Sequence, residues 1–284
     1  MSEVLRLGRQ QDRRLRAGHL WVYSNEVDSA ATPLKAFEPG QPVQIEDAKG
    51  KWLGLGYVNP NSLICARLVS RDRGVAIDES LLTHRIKVAL GLRDRLYPAP
   101  FYRLLFGESD GVPGVVVDRY GDVLAVQITT AGMEAQRDAL IGALVKVLQP
   151  RGIVLRNDTA VRELEGLDRY TELASGEVPP SVMVEEGGCR FEVSPSLGQK
   201  TGWYYDQAAN RDQFIRYVAG RRVLDVCSYV GAWSVRAAVA GASEVHAVDA
   251  SVQALSHLEQ NAELNAVADR VRGINGDAFG TLRE

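Results

Sequence analysis

Apolar and polar positions divide the chain into three regions. From Met1 to about Arg73, short apolar runs alternate with turn residues. Pro42-Val43-Gln44-Ile45 and Leu63-Ile64-Cys65-Ala66-Arg67-Leu68-Val69 read as strands, with Pro39-Gly40 and Asn59-Pro60-Asn61 between such runs as turns. Short strands with frequent turn signals predict a small β-barrel. From about Gly74 to Ser181 the periods mix. Asp78 is placed to cap a helix whose apolar face carries Leu81, Leu82, Ile86, Ala89 and Leu92. Gly114 to Val117, a turn over Asp118 to Asp122, and Val123 to Ile128 predict a hairpin. A helix with Leu140, Ile141, Leu144, Val145 and Leu148 on one face follows, then a strand from Gly152 to Arg156. This region reads as a compact α+β unit.

The third region starts near Val182. Val182, Val184 and Glu186 face Cys189, Phe191 and Val193 across Gly187-Gly188, a two-residue hairpin signal. Strand and helix then alternate: strand Arg222 to Val226, helix Ala232 to Ala240, strand Glu244 to Val248, helix Ser251 to Asn265, strand Arg270 to Ile274. A βαβαβ order predicts a parallel sheet with right-handed crossovers.

Composition adds limits. A chain of 284 residues, 45% apolar and 24% charged, suits two or three globular domains. No apolar run approaches about 20 residues, so no membrane span is expected. No basic-then-apolar leader opens the chain. Cys65, Cys189 and Cys227 are widely spaced, without a C-x-x-C pair. Reduced thiols in a cytoplasmic protein, with no disulfide frame and no metal site, are expected. The net charge of -3 does not announce nucleic acid, but Arg6, Arg9, Arg13, Arg14 and Arg16 crowd the first stretch against Glu3 and Asp12. Such a patch can hold phosphates. His19, Trp21 and Tyr23 follow it, either as a face that stacks unpaired bases or as barrel core.

The chemistry centres on Val223-Leu224-Asp225-Val226-Cys227-Ser228-Tyr229-Val230-Gly231. A buried strand ends in an acid and a tight turn, and a helix opens directly after. Ligands of open α/β sheets bind beyond the carboxyl ends of such strands. The dinucleotide fingerprint G-x-G-x-x-G is missing, because Cys227 and Tyr229 stand where it wants glycine. Asp249 ends the second strand, where a carboxylate can take two ribose hydroxyls, and Asp277-Ala278 ends the third, where one can accept from an adenine amino group. Helix capping is the alternative for Asp249 and Asp277. Together the acids favour an adenosine ligand bearing a positive centre and no phosphate.

Leu224 to Gly231 resembles motif I of class I S-adenosylmethionine-dependent methyltransferases. More closely, the chain resembles the bacterial PUA-domain methyltransferases that make 5-methylcytosine in large-subunit ribosomal RNA. The resemblance covers nearly the whole chain. Gly107 to Asp122, Arg156-Asn157-Asp158 with Val161 to Leu167, Gly198-Gln199-Lys200-Thr201-Gly202-Trp203-Tyr204-Tyr205-Asp206-Gln207 with Asn210-Arg211, and motif I through Asp249 carry it. It implies a PUA-like RNA-binding domain over 1–73, a central α+β domain over 74–181, and the N-terminal part of a methyltransferase domain over 182–284. It places Asp225, Ser228, Tyr229 and Gly231 at the methionine end of S-adenosyl-L-methionine, Asp249 at the ribose, and Asp277 with Ala278 at the adenine. It puts Lys200, in the Gln199-Lys200-Thr201-Gly202 loop, over the cofactor with Tyr204 packing nearby; a helix N-terminal turn with a solvated lysine is the alternative. The partner implied is large-subunit rRNA.

The family pattern continues past Asp277-Ala278-Phe279 to a base-contacting loop and a nucleophilic cysteine, which are expected beyond Glu284. Thiolate attack at cytosine C6 is what makes C5 able to take a methyl group. Without further strands, Arg222 to Val226 is expected as a bare apolar edge, which suggests truncation or a homodimer. Three alternatives stand beside the leading reading. One is binding of RNA and cofactor without catalysis, and another is methylation of a different base or atom. The third is a nicotinamide dehydrogenase, disfavoured by the missing glycines.

Overall fold

The computed structural model describes residues 3–198 and 201–283. They gather into two units, one running to Val178 and one from Pro179 onward, with Ala99–Tyr102 grouping with the second.

The first unit opens with β1 (Glu3–Arg6), α1 (Arg13–Arg16), β2 (Trp21–Val22), β3 (Gln41–Glu46), β4 (Trp52–Val58) and β5 (Ala66–Ser70). They form one sheet in the order β1-β3-β4-β5-β2, with only β1 and β3 parallel. A bridge between Leu7 and Val27 ties the continuations of the two outer strands, so the sheet curls around its core. Leu5, Leu15, Val43, Ile45, Val58 and Leu68 fill that core. The strand expected from Leu63 begins only at Ala66. Leu63 is 72% exposed, and Asn59 N donates to Cys65 O at 2.7 Å, which closes a loop instead of extending a ladder. Cys65 is therefore a buried loop residue and not a strand residue.

The unit continues with α2 (Glu79–Leu96), β6 (Phe101–Phe106), β7 (Val115–Tyr120), β8 (Val123–Ile128), α3 (Ala131–Glu134), α4 (Arg137–Leu148), β9 (Gly152–Asn157) and β10 (Tyr170–Gly176). The sheet order is β10-β9-β8-β7-β6. Its parallel pair, β8 and β9, is joined through α3 and α4, as a parallel crossover requires. Asp78 caps α2 as expected, its Oδ1 accepting from Leu81 N at 2.9 Å. The buried face of α2 is Leu82, Thr83, Ile86 and Ala89; Leu92, expected there, is half exposed. The turn expected over Asp118 to Asp122 contracts to Gly121 and Asp122, with Tyr120 paired to Val123. Asp118 stays in the strand because it is fully buried and takes both oxygens' hydrogen bonds from Arg103, at 2.8 and 3.0 Å.

Glu165 joins the two sheets. Its carboxylate accepts from Asn59 Nδ2 at 2.8 Å, Arg67 Nη1 at 2.8 Å and Ala131 N at 3.3 Å. Asn59 follows β4, Arg67 lies in β5 and Ala131 opens α3. Tyr57 of β4 adds a second tie, its hydroxyl donating to Pro113 O at 3.0 Å. Its ring lies flat against Gly132, where a Cβ would come within 2.0 Å of ring carbon.

The second unit holds β11 (Val182–Glu186), β12 (Cys189–Val193), α5 (Ala208–Phe214), β13 (Arg222–Val226), α6 (Ala232–Val239), β14 (Glu244–Asp249), α7 (Val252–Leu264), β15 (Val271–Asn275) and α8 (Ala278–Thr281). The hairpin has the expected register, Val184 opposite Phe191 and Glu186 opposite Cys189. Both turn glycines have positive φ, 57° and 77°, as a type I′ turn needs. The hairpin docks on α7 through two asparagines one turn apart. Asn261 Oδ1 accepts from Glu192 N at 2.7 Å, and Asn265 Oδ1 from Arg190 N at 2.9 Å. β13, β14 and β15 form a parallel sheet in that order. β13 is an edge strand, and its Leu224 is 53% exposed. Among the described residues, no helix is long and apolar enough to cross a membrane.

Removing the Glu165 carboxylate leaves Arg67 largely buried without its partner at 2.8 Å. Glu165→Ala is expected to cost about 3 kcal/mol of stability. Urea denaturation followed by circular dichroism measures it.

Candidate functional site

The turn from Cys227 to Gly231 links β13 to α6. Its φ values are 64° at Cys227, 50° at Tyr229 and 86° at Gly231. This left-handed region favours glycine, so two side-chain-bearing residues here are strained. Although Cys227 and Tyr229 replace the glycines of a dinucleotide turn, the backbone keeps a turn of that hand. Surrounding bonds hold it there. Tyr229 N donates to Asp249 Oδ2 at 2.8 Å, and Ser228 N donates to Val248 O at 3.0 Å. Gly231 is required for space as well: a Cβ would sit 2.8 Å from Leu258 Cγ. Strain held by its surroundings is a feature of ligand sites.

The acids sit as follows. Asp225 lies within β13 and accepts from Ser234 Oγ of α6 at 2.6 Å. Burial raises its carboxyl above the usual range, and the neighbouring charge of Asp249 adds to the rise. Asp249 ends β14 and is buried; besides Tyr229 N it takes Ser251 N on Oδ1 at 2.9 Å. Asp277 caps α8, its Oδ1 accepting from Phe279 N and Gly280 N at 3.0 Å each. The end of β15 is nonetheless tied to the end of β14, because Asn275 Nδ2 donates to Asp249 O at 3.2 Å.

Two cavities flank Tyr229. The larger, about 340 Å³, is lined by Trp203, Tyr204, Arg211, Cys227, Ser228 and Trp233 among others. The smaller, about 100 Å³, is lined by Ser194, Gly198, Tyr229, Ser251, Gln253 and His257 among others. The rings of Tyr204 and Tyr229 meet edge to face at 5.8 Å. Ser228 Oγ is buried without a hydrogen-bond partner among the described residues. A buried hydroxyl left unsatisfied calls for a partner that the protein itself does not supply.

Of the predicted site residues, Tyr204, Ser228 and Tyr229 line these cavities. Asp225, Gly231 and Asp249 line neither; Gly231 lies in the turn between the cavities, Asp249 accepts from Tyr229 N of that turn, and Asp225 stands before it in β13. Asp277 and Ala278 line neither, and Lys200 lies outside the described residues. Trp203, Gln207, Arg211 and Trp233 line the larger cavity without having been assigned a place in it. Trp203 and Arg211 stand in the stretch that carries the family resemblance, but an alternating or helical pattern gives such residues no direction. The thiols separate clearly. Burial pushes Cys65 up to about 12 and raises Cys189, whereas Cys227 is exposed. Among the described residues no group of His, Cys, Asp or Glu is placed to hold a metal.

Comparison with known proteins bears on the fold and the family. A profile for PUA-like domains matches residues 5–71, and one for the TRM5/TYW2 methyltransferase domain matches residues 182–281. SMU.776, assigned as a methyltransferase and solved in complex with SAH, superposes with a TM-score of 0.85 at 22% identity, over 99% of this chain and 72% of that one. That likeness shows the fold. The ribosomal RNA large subunit methyltransferase I of Escherichia coli O139:H28 is 39% identical over 288 residues, all of this chain and 72% of that protein. Its counterpart from Photobacterium profundum is 37% identical over 291 residues, with the same coverage. On sequence likeness sustained along its whole length, the chain belongs to the ribosomal RNA large subunit methyltransferase I family.

Proposed function

We propose that the second unit binds S-adenosyl-L-methionine around the Cys227–Gly231 turn, for methyl transfer to cytosine C5 of large-subunit rRNA. The observation that carries the cofactor reading is the unpartnered, buried Ser228 hydroxyl at a cavity bordered by a strained turn whose Tyr229 N–H is held by Asp249. Bound there, the cofactor supplies a methyl group activated by a sulfonium. The residues present fit it. Asp225 and Asp249 give negative potential for a cationic methionine end, and Ser228 has a hydroxyl to offer its polar groups. Asp249 keeps lone pairs for ribose hydroxyls beyond the two backbone bonds it accepts. Asp277 and Ala278 are assigned to the adenine edge, and Lys200 to the covering loop.

The name of the relatives supports large-subunit rRNA, and the family resemblance read from the sequence supports cytosine C5. Attack at C6 requires a thiolate, and burial disfavours that form at Cys65 and Cys189. Neither is assigned as nucleophile. The region 1–73 is assigned to RNA binding. Arg6, Arg14 and Arg16 are engaged by Glu46, Glu26 and Asp47, with Arg16 also on Asp12. Among the described residues Arg9 and Arg13 show no ion pair, Arg13 donating only to the neutral Gln10 Oε1 at 3.3 Å, and both are assigned to phosphate. Trp21 is 38% exposed and its indole N–H donates to Glu108 Oε1, so it stands outside the barrel core, and it is assigned to the RNA-binding face. A cytoplasmic location follows from an rRNA substrate.

Asp249→Ala is expected to abolish S-adenosylhomocysteine binding by calorimetry. Asp225→Asn separates stability from function. Burial raises the Asp225 carboxyl in the folded state, so its ionisation costs stability as pH rises through the folded value; below the unfolded value there is no such cost. The amide is expected to raise the neutral-pH melting temperature by about 2 °C. The same change is expected to weaken binding of the cationic cofactor about tenfold.

Paired Arg9→Ala and Arg13→Ala substitutions are expected to lower RNA affinity and flatten its salt dependence by about one phosphate contact each, in filter binding from 50 to 200 mM salt. Where no further strand pairs with it, the edge of β13 gives homodimer formation a route. Sedimentation equilibrium is expected to show a concentration-dependent dimer that Leu224→Lys removes.

A further inference from the structure

Arg211 and Arg236 are both almost fully buried in the second unit. Buried guanidinium groups require paired charge. One carboxylate, that of Glu186 at the end of β11, serves both. Its Oε1 accepts from Arg211 Nε at 2.6 Å and Arg236 Nη1 at 3.0 Å. Its Oε2 accepts from Arg211 Nη2 at 2.7 Å and from Trp203 Nε1 at 3.1 Å. Arg236 can lie there only because the next residue is Gly187, where a Cβ would come 2.2 Å from Arg236 Nη2.

These bonds fix the segment that walls the larger cavity. Arg211 Nη2 also donates to Tyr204 O at 2.9 Å, and its guanidinium lies 5.2 Å from the centre of the Trp203 ring. On the other side, Tyr229 Oη donates to Gly202 O at 3.3 Å. Residues 202–204 are thus held between the Glu186 carboxylate and the turn at Tyr229. Trp203, Tyr204 and Arg211 line the cavity, while Glu186 does not.

We propose that Glu186 is a positioning residue for cofactor binding, acting through Trp203 and Arg211 to hold the cavity wall in its binding geometry before ligand arrives. This rests on the cofactor reading given above. Preorganisation of this kind raises affinity by removing the ordering cost from the binding step.

Substituting Glu186 itself leaves the buried Arg211 without this carboxylate, takes one of two carboxylates from Arg236, which keeps Asp212, and threatens folding. Trp203→Phe is the cleaner probe. It deletes the bond to Glu186 but keeps an aromatic ring against Phe191, whose ring centre lies 4.8 Å away. Arg211→Lys is the second probe. It keeps the charge beside Glu186 but cannot bond both of its oxygens and Tyr204 O together. S-adenosylhomocysteine is titrated calorimetrically into wild type and each variant, and melting is followed without ligand. The expected result is a Kd about tenfold higher in each variant, the scale of one hydrogen bond to a charged group. Trp203 is fully buried, so the smaller ring leaves a cavity and the ligand-free melting temperature of Trp203→Phe is expected to fall by about 3–6 °C. Unchanged Kd in both variants, whatever their melting temperatures, overturns the assignment while leaving the cofactor reading intact. Failure of wild type to bind overturns both.

Discussion

The loops that follow β13 and β14 depend on one carboxylate. Asp249 accepts the backbone N–H of Tyr229 on one oxygen and that of Ser251 on the other. The first bond fixes a turn with two side-chain-bearing residues in the left-handed region; the second fixes the entry to α7. Such conformations persist only where surroundings over-determine them. Both cavities border Tyr229, so the shape of each follows from this single anchor. A residue assigned to ligand binding thereby also has a structural task. Loss of binding on its substitution would report both, which is why Asp225, held by a hydroxyl from α6, separates the two more cleanly.

Buried carboxylates recur as joints. Glu165 connects the barrel-like sheet to the α+β sheet in the first unit, and Glu186 gathers two arginines and an indole in the second. Replacing such pairs by well-packed apolar groups is often neutral for stability, whereas removing one member is costly. Their value here is directional. Each fixes the relative placement of segments distant in sequence, 59 with 165 or 186 with 236, which apolar contact alone constrains less sharply.

Elements with a strong period were legible in the sequence. The Gly187-Gly188 hairpin and the βαβαβ run of the second unit stand where alternation and caps put them, within a residue or two at their ends. Legibility failed where burial was achieved by polar residues. Asp118 reads as a turn residue yet lies buried in β7, paired with Arg103 of β6. β10, with its Tyr-Thr-Glu opening and half-exposed face, carries no alternating signal. Leu63 and Leu92 are apolar but exposed, as single surface residues often are. The site divides the same way. Motif residues on the turn were recognisable by type and spacing. The wall formed by Trp203, Arg211 and Trp233 was not, because it depends on a tertiary ion cluster whose members are 17 to 50 residues apart.

The docking of the β11–β12 hairpin on α7 uses neutral amides, Asn261 and Asn265, against backbone groups. Amide side chains do not titrate, and their bonds carry no net charge for mobile ions to screen. This seam is therefore indifferent to ionic strength and to moderate acid. Salt and acid therefore act on the hairpin through Glu186 of β11, which pairs with Arg211 and Arg236, while the asparagine seam on β12 stays fixed.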